Sequence, residues 1–265
     1  MMPGMPELSG IRERLNSFVE EMHSPSTRDM REPLAVAVPL YIYPGEGCWD
    51  ALYNAMVKHP SVEFHVVINP ANGPGGRVPD ACYVKEVARL NSFDNCKLFG
   101  YVHVSWGARK AGLVTGDITT WAHWKDYSAA DIHVEGIFVD EAPADLDKLE
   151  YMEDIYKHTK YVLGDNALVW TNPGVALDER FYEVADLVNS HENTHEGWKT
   201  CIHSRNVKST AMIHTYDGDL TDMRRDIQVL RKAGYRSILI TTSNCYVSFS
   251  NYLEQFVEAV ESSNQ

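Results

Sequence analysis

The chain has 265 residues, 44% of them hydrophobic and 23% charged, enough apolar material for one large packed domain, and this excludes disordered and fibrous classes. Its 24 basic residues stand against 37 acidic ones, a formal net charge of −13 that opposes nucleic acid and anionic membrane surfaces as partners and suits a neutral or cationic ligand. No apolar run nears the roughly 20 residues that span a bilayer, MMPGMPELSGIRERLNSF at the N-terminus lacks the apolar centre of a signal peptide, and no asparagine opens an N-x-[ST] sequon, so a cytoplasmic protein is expected.

Residues 1–33 read as an extension holding one short helix, IRERLNSFVEEM (11–22). Beyond it, apolar runs bounded by turn residues recur: LAVAVPLYI (34–42), FHVVIN (64–69), LFGYVHV (98–104), GIFVD (136–140), ALVWT (167–171), ADLVNS (185–190), TAMIHT (210–215) and RSILITT (236–242). They are rich in Val, Ile, Leu and aromatics without polar alternation, as in strands covered on both faces. Amphipathic stretches lie between them, notably 143–162, with Pro143 at the first helical position, and 219–234, ending on Gly234 as a C-cap. Strand–helix alternation repeated this often predicts an α/β fold, a single-domain (β/α)8 barrel over 34–265. The five cysteines, Cys48, Cys82, Cys96, Cys201 and Cys245, show no C-x-x-C pairing and are expected to be reduced interior residues.

In such a barrel, chemistry sits at the C-terminal ends of the strands. The predicted ends carry Tyr41, Asn69, His103, Trp106, Arg109, the adjacent acids Asp140 and Glu141, Asn172, then His191 and Glu192, His214 and Tyr246. Aromatic faces beside amides and carboxylates suit a sugar, which offers apolar C–H patches fringed with hydroxyls. Glycosidic cleavage needs two carboxyl groups flanking the scissile bond, and Asp140 with Glu192 supplies them from non-adjacent strands. Alternation along a strand places Asp140 on the face of Phe138, with Glu141 opposite unless the chain twists. A plainer reading has both acids favouring the positive end of a helix starting near Pro143.

HENTH (191–195) matches H-E-x-x-H, a zinc hydrolase signature that requires both histidines on one helix. Here the preceding residues read as a strand end, so no metal and no cofactor is expected. His103, His133 and His203 are expected to be structural, with His103 and His214 close enough to strand ends to hydrogen-bond a substrate, and NGPGG (72–76) is expected to form a tight turn rather than a phosphate cradle.

VPLYIYP (38–44), INPANGPGG (68–76), GYVHVSWGAR (100–109), GIFVDEAP (136–143), TNPG (171–174) and SHEN (190–193) resemble, in this order, the spherulin-4 or spherulation-specific family, whose fungal members form glycoside hydrolase family 135. The resemblance spans roughly 34 to 260. It implies a (β/α)8 barrel that cleaves α-1,4-linked N-acetylgalactosamine in galactosaminogalactan-type polysaccharide. The implied catalytic acids are Asp140, Glu141 and Glu192. By analogy with other α-glycosidase barrels, Asp140 is assigned as nucleophile and Glu192 as acid/base, with Glu141 in support. Tyr41, Trp106 and Tyr246 are candidate sugar platforms, and Asn69, His103, Arg109, Asn172 and His214 candidate hydrogen-bonding partners of a polysaccharide or oligosaccharide. Family members are often secreted or cell-wall associated. The alternatives are a zinc-dependent hydrolase built on HENTH and a non-catalytic carbohydrate-binding or spore-associated barrel.

Overall fold

Eight parallel strands close into a barrel in the computed structural model, which describes residues 32–200 and 206–265. The predicted helix at 11–22, Cys201 and His203 lie outside these residues. The strands are β1 (Ala35–Leu40), β2 (Phe64–Ile68), β3 (Cys96–His103), β4 (Gly136–Asp140), β5 (Leu168–Thr171), β6 (Leu187–Thr194), β7 (Ser209–His214) and β8 (Ser237–Ile240). They pair in chain order, with β8 returning to β1. Helices α1 (Asp50–Lys58), α2 (Ala81–Leu90), α3 (Ala111–Ala122), α4 (Leu149–Leu163), α5 (His195–Thr200) and α6 (Leu220–Ala233) lie in the crossovers, a 3-10 segment, Glu179–Val184, follows β5, and α7 (Leu253–Asn264) follows β8. This is the (β/α)8 barrel that the alternation predicts.

β1 tolerates a proline because of where its ladder stops. The Ala35 amide donates to Arg236 O and the Val36 amide to Glu63 O, each at 2.9 Å, so successive amides face β8 and β2 in turn. Pro39 falls on the β8 side, where pairing has ended at Val36, and its missing N–H leaves no partner unsatisfied.

Aromatic rings fill the barrel. Phe99, Phe138 and Trp170 meet edge-on with centroids 4.9 to 5.3 Å apart, His65 packs beneath Phe99 and Trp170, and Tyr101 stacks on Phe138 at 6.3 Å towards the mouth. Each ring buries roughly 150–250 Å², worth several kcal/mol at ~25 cal/mol/Å². Gly100 lets α3 approach β3, since a Cβ there would overlap the Trp121 ring.

Helix α6 has the ends its sequence predicts. Asp219 caps it by accepting from the amides of Thr221 and Asp222 at 2.7 and 2.9 Å, and Gly234 ends it in the left-handed conformation. Two expectations need correction. Pro143 does not open a helix: a 3-10 turn, Leu146–Lys148, precedes α4, which begins only at Leu149. Nor are the cysteines all interior. Cys96 is buried, but Cys48, Cys82 and Cys245 are exposed, because they sit on the loops and helix start around the mouth rather than on strands.

Candidate active site

Asp140, at the end of β4, is held by two neutral donors. The Tyr101 hydroxyl donates to its Oδ2 at 2.7 Å and the Asn172 Nδ2 to its Oδ1 at 2.8 Å. The same Asn172 nitrogen donates to Glu192 Oε2 at 2.6 Å, and the Tyr246 hydroxyl donates to Glu192 Oε1 at 2.7 Å. Asp140 and Glu192, predicted from separate strands, therefore share one amide group. Among the described residues neither carboxylate has a Lys, Arg or His within ion-pair distance. Burial, then the charge of Asp140 or Glu192, pushes the phenols of Tyr41, Tyr101 and Tyr246 far above their ordinary range. All three keep their protons, and Tyr101 and Tyr246 serve as donors. Tyr41 stands between the other two, 5.6 Å from Tyr101 and 5.9 Å from Tyr246, completing an aromatic wall.

Glu192 faces inward because β6 breaks its own alternation. The β6–β7 register shifts between Asn189 and His191, and this bulge brings Glu192 to the face of Asn189, whose Nδ2 lies 3.4 Å from Glu192 Oε2. A bulge beside an active site re-aims a side chain in this way.

Glu141 does not point away from Asp140. Its φ is +54°, so the segment does not stay extended up to Ala142 as Pro143 suggests. The twist carries the Glu141 carboxylate to 3.7 Å from His103 Nδ1. Ser105, Trp106 and Gly107 follow β3 with φ of 47°, 52° and 78°, and a 2.7 Å bond from the Trp106 amide to Glu141 O locks the two turns together. A left-handed non-glycine residue costs about 1–2 kcal/mol, and such strain gathers at functional sites. It holds the Trp106 indole 65% exposed at the mouth. Because α4 begins well after Glu141, the reading of both acids as helix-terminus residues loses its helix.

The other predicted residues divide. His103 bonds Ser105 Oγ at 3.2 Å, and half-exposed His214 ends β7 beside Thr215. Asn69 accepts from the Gly73 amide at 3.0 Å and so shapes the NGPGG turn. Arg109 is committed to Asp117 at 2.6 Å and to the His103 carbonyl at 3.1 Å; its guanidinium braces the loop after β3. Asn172 is buried, and its amide is bonded to both carboxyls and to Asn189. His133 bonds Asp131 and Asn91, a structural role.

HENTH does not form a zinc helix. His191 lies within β6, edge-on to Trp198, while His195 opens α5 with its ring nitrogens on Asp217 and Asp226 at 2.5 and 3.1 Å. The strand continues through Thr194, so the two histidines never share a turn. Among the described residues no cluster of His, Cys, Asp or Glu is disposed to hold a metal, and no helix is long and apolar enough to cross a membrane.

Two site residues escape sequence reading. Tyr101 was available from the two-residue period that puts it on the face of His103. Asn189 was hidden by the bulge.

The family model described as spherulation-specific family 4 matches residues 35–260. Spherulin-4 of Physarum polycephalum is 29% identical over 255 residues, covering 90% of this chain and 73% of that protein. The crystal structure of Aspergillus clavatus Sph3 in complex with GalNAc aligns with a TM-score of 0.76 at 33% identity, over 86% of this chain and 98% of that one. A Bacteroides thetaiotaomicron chitinase, at a TM-score of 0.53 and 10% identity over 88% and 97% of the two chains, shares the fold alone. The barrel thus has the architecture and mouth chemistry of a carbohydrate-active glycoside hydrolase, and the chain belongs to spherulation-specific family 4, the spherulin-4 family.

Proposed function

We infer that this protein is a retaining glycosidase that cleaves α-1,4-linked N-acetylgalactosamine polymers of the galactosaminogalactan type. The observation that carries the reading is the pair Asp140 and Glu192 bridged by one Asn172 nitrogen at 2.8 and 2.6 Å beneath a wall of tyrosines. Their nearest oxygens can be no farther apart than the sum of those lengths, and a pair held this closely favours the retaining arrangement. The sugar is suggested by the GalNAc bound to the Aspergillus relative.

In an α-linked N-acetylgalactosamine the acetamido group lies cis to the leaving oxygen and cannot attack from behind, so an enzyme carboxylate or an activated water must, and the closeness of the pair favours the carboxylate. Asp140 forms the glycosyl ester as the C1–O bond breaks, and Glu192 gives its proton to the departing oxygen. A water then attacks C1 and passes its proton to Glu192, releasing Asp140 and a sugar of retained configuration. Glu141 supports the pair by its charge and through His103. Trp106, Tyr41 and Tyr246 offer faces to the C–H patches of the sugar, while His103, His214 and Asn69 line its polar fringe.

Product analysis on a panel of α- and β-linked hexosamine polymers tests the reading. Selective depolymerisation of the α-1,4-linked N-acetylgalactosamine chain is expected. Binding of that polymer without release of shorter chains would instead identify a non-catalytic carbohydrate-binding barrel.

A further inference from the structure

The geometry points to Asn189 as a positioning residue for the reaction, acting on both carboxylates through Asn172; the inference rests on the glycosidase reading above. Ionised Asp140 only accepts hydrogen bonds, and Glu192, carrying its proton on the other oxygen, accepts through Oε2, so Asn172 must present its nitrogen to both. Its oxygen then faces Asn189, whose Nδ2 donates to it at 2.8 Å. Behind Asn189, the Thr210 hydroxyl donates to Asn189 Oδ1 at 3.3 Å and accepts from the Trp170 indole at 2.9 Å. A line of hydrogen bonds thus runs from the aromatic core to the reacting pair. Asn189 and Thr210 are fully buried, out of reach of any sugar.

The orientation of Asn189 is set by Asn172 rather than by its own backbone surroundings. Turned over, its amide nitrogen would find the carbonyls of His191 and Thr210, each at 3.2 Å, a better local arrangement. That turn would set its oxygen against the Asn172 oxygen at 2.8 Å and push Asn172 to offer an acceptor to two acceptors. Because Asn172 keeps its nitrogen on the carboxyls, its oxygen requires a donor behind it, and Asn189 is the side chain that can supply one.

Asn189→Leu removes the donor while nearly keeping the volume. Its kcat should fall about tenfold to a hundredfold, the scale of a small misplacement of reacting groups, with KM near the wild-type value. Asn189→Asp is sharper. The introduced carboxyl would face Asn172 just past β5, Thr210 from β7 and Glu192 on its own strand, Glu192 being the titratable group among them. Ionised, it repels the Asn172 oxygen; protonated, its O–H can donate to that oxygen as Asn189 does. Activity relative to wild type should therefore recover as pH falls. A readout independent of turnover is the pair of Asn172 side-chain amide protons in 15N–1H spectra, which should exchange slowly in the wild type and quickly in Asn189→Leu. Wild-type kcat in Asn189→Leu, an Asn189→Asp pH profile parallel to wild type, or unchanged Asn172 amide exchange would each overturn the inference. Should the wild type cleave no hexosamine polymer, the glycosidase reading falls while the amide exchange still decides the role of Asn189.

Discussion

The two ends of the barrel both carry carboxylates, and they treat them in opposite ways. At the floor, Glu63 meets His65 at 2.7 Å and Lys97 at 2.9 Å, and these partners, the His65 hydrogen bond first, hold its carboxyl down at about 2. At the mouth, Asp140 and Glu192 meet tyrosine hydroxyls and asparagine amides instead. A cation beside a carboxylate neutralises it and ties it down; neutral donors orient it without fixing its charge, which the proposed mechanism needs if Asp140 is to attack ionised and Glu192 is to carry a proton. The mouth also holds the strained residues Trp106 and Glu141, whereas the floor is built from regular strands. Strain thus gathers at the mouth, where the function is proposed, and matched charge at the floor.

Substitutions at the two ends should therefore separate activity from stability. The largest effect belongs to Asp140→Asn and Glu192→Gln: each should lower kcat by about a thousandfold or more while leaving thermal unfolding nearly unchanged, as measured by initial rates and calorimetry. Near-normal turnover in either variant would remove that residue from the mechanism. Trp106→Gly should relieve the left-handed strain and leave the melting temperature the same or slightly raised. Losing the platform should lower kcat/KM roughly tenfold, chiefly through KM, a binding loss of about 1.4 kcal/mol. A variant that loses stability but keeps its KM would recast Trp106 as a scaffold residue.

The floor supplies the smaller effects. Glu63→Gln should leave kcat and KM unchanged and lower stability at neutral pH by less than about 1 kcal/mol, since the pair is partly solvated. The sign of the pH dependence is fixed by both groups. Glu63 is depressed from 4.5 to about 2, so its contribution is full above 4.5 and is lost as pH falls towards 2. His65 is depressed below its ordinary 6.5, chiefly by burial, so protonation also favours unfolding below that pH. The melting temperature should drop on acidification below about 6.5, and Glu63→Gln should flatten the part of that drop below 4.5.

The barrel was legible because eight doubly covered strands leave continuous apolar runs, a signal carried by every residue in them. Asp140, Tyr246 and Trp106 were legible because each lies just past such a run. What failed to show depends on backbone detail that composition does not encode. The left-handed φ at Glu141 turns its side chain against the pattern that Pro143 suggests. The β6 bulge hides Asn189 and lengthens a strand that the sequence ends at Ser190. The same lengthening explains why HENTH misleads: its H-E-x-x-H spacing signals zinc only on a helix, and here the helix begins at His195.

The central claim is that Asp140 attacks the sugar while Glu192 moves the proton. The most direct test incubates the protein with a 5-fluoro α-N-acetylgalactosaminyl fluoride, which forms the glycosyl ester faster than water clears it, and locates the adduct by peptide mass spectrometry. The account predicts one sugar per chain, on the peptide containing Asp140 and absent in Asp140→Asn. A label on Glu192 or Glu141, or none while the protein is cleaving polymer, would contradict it.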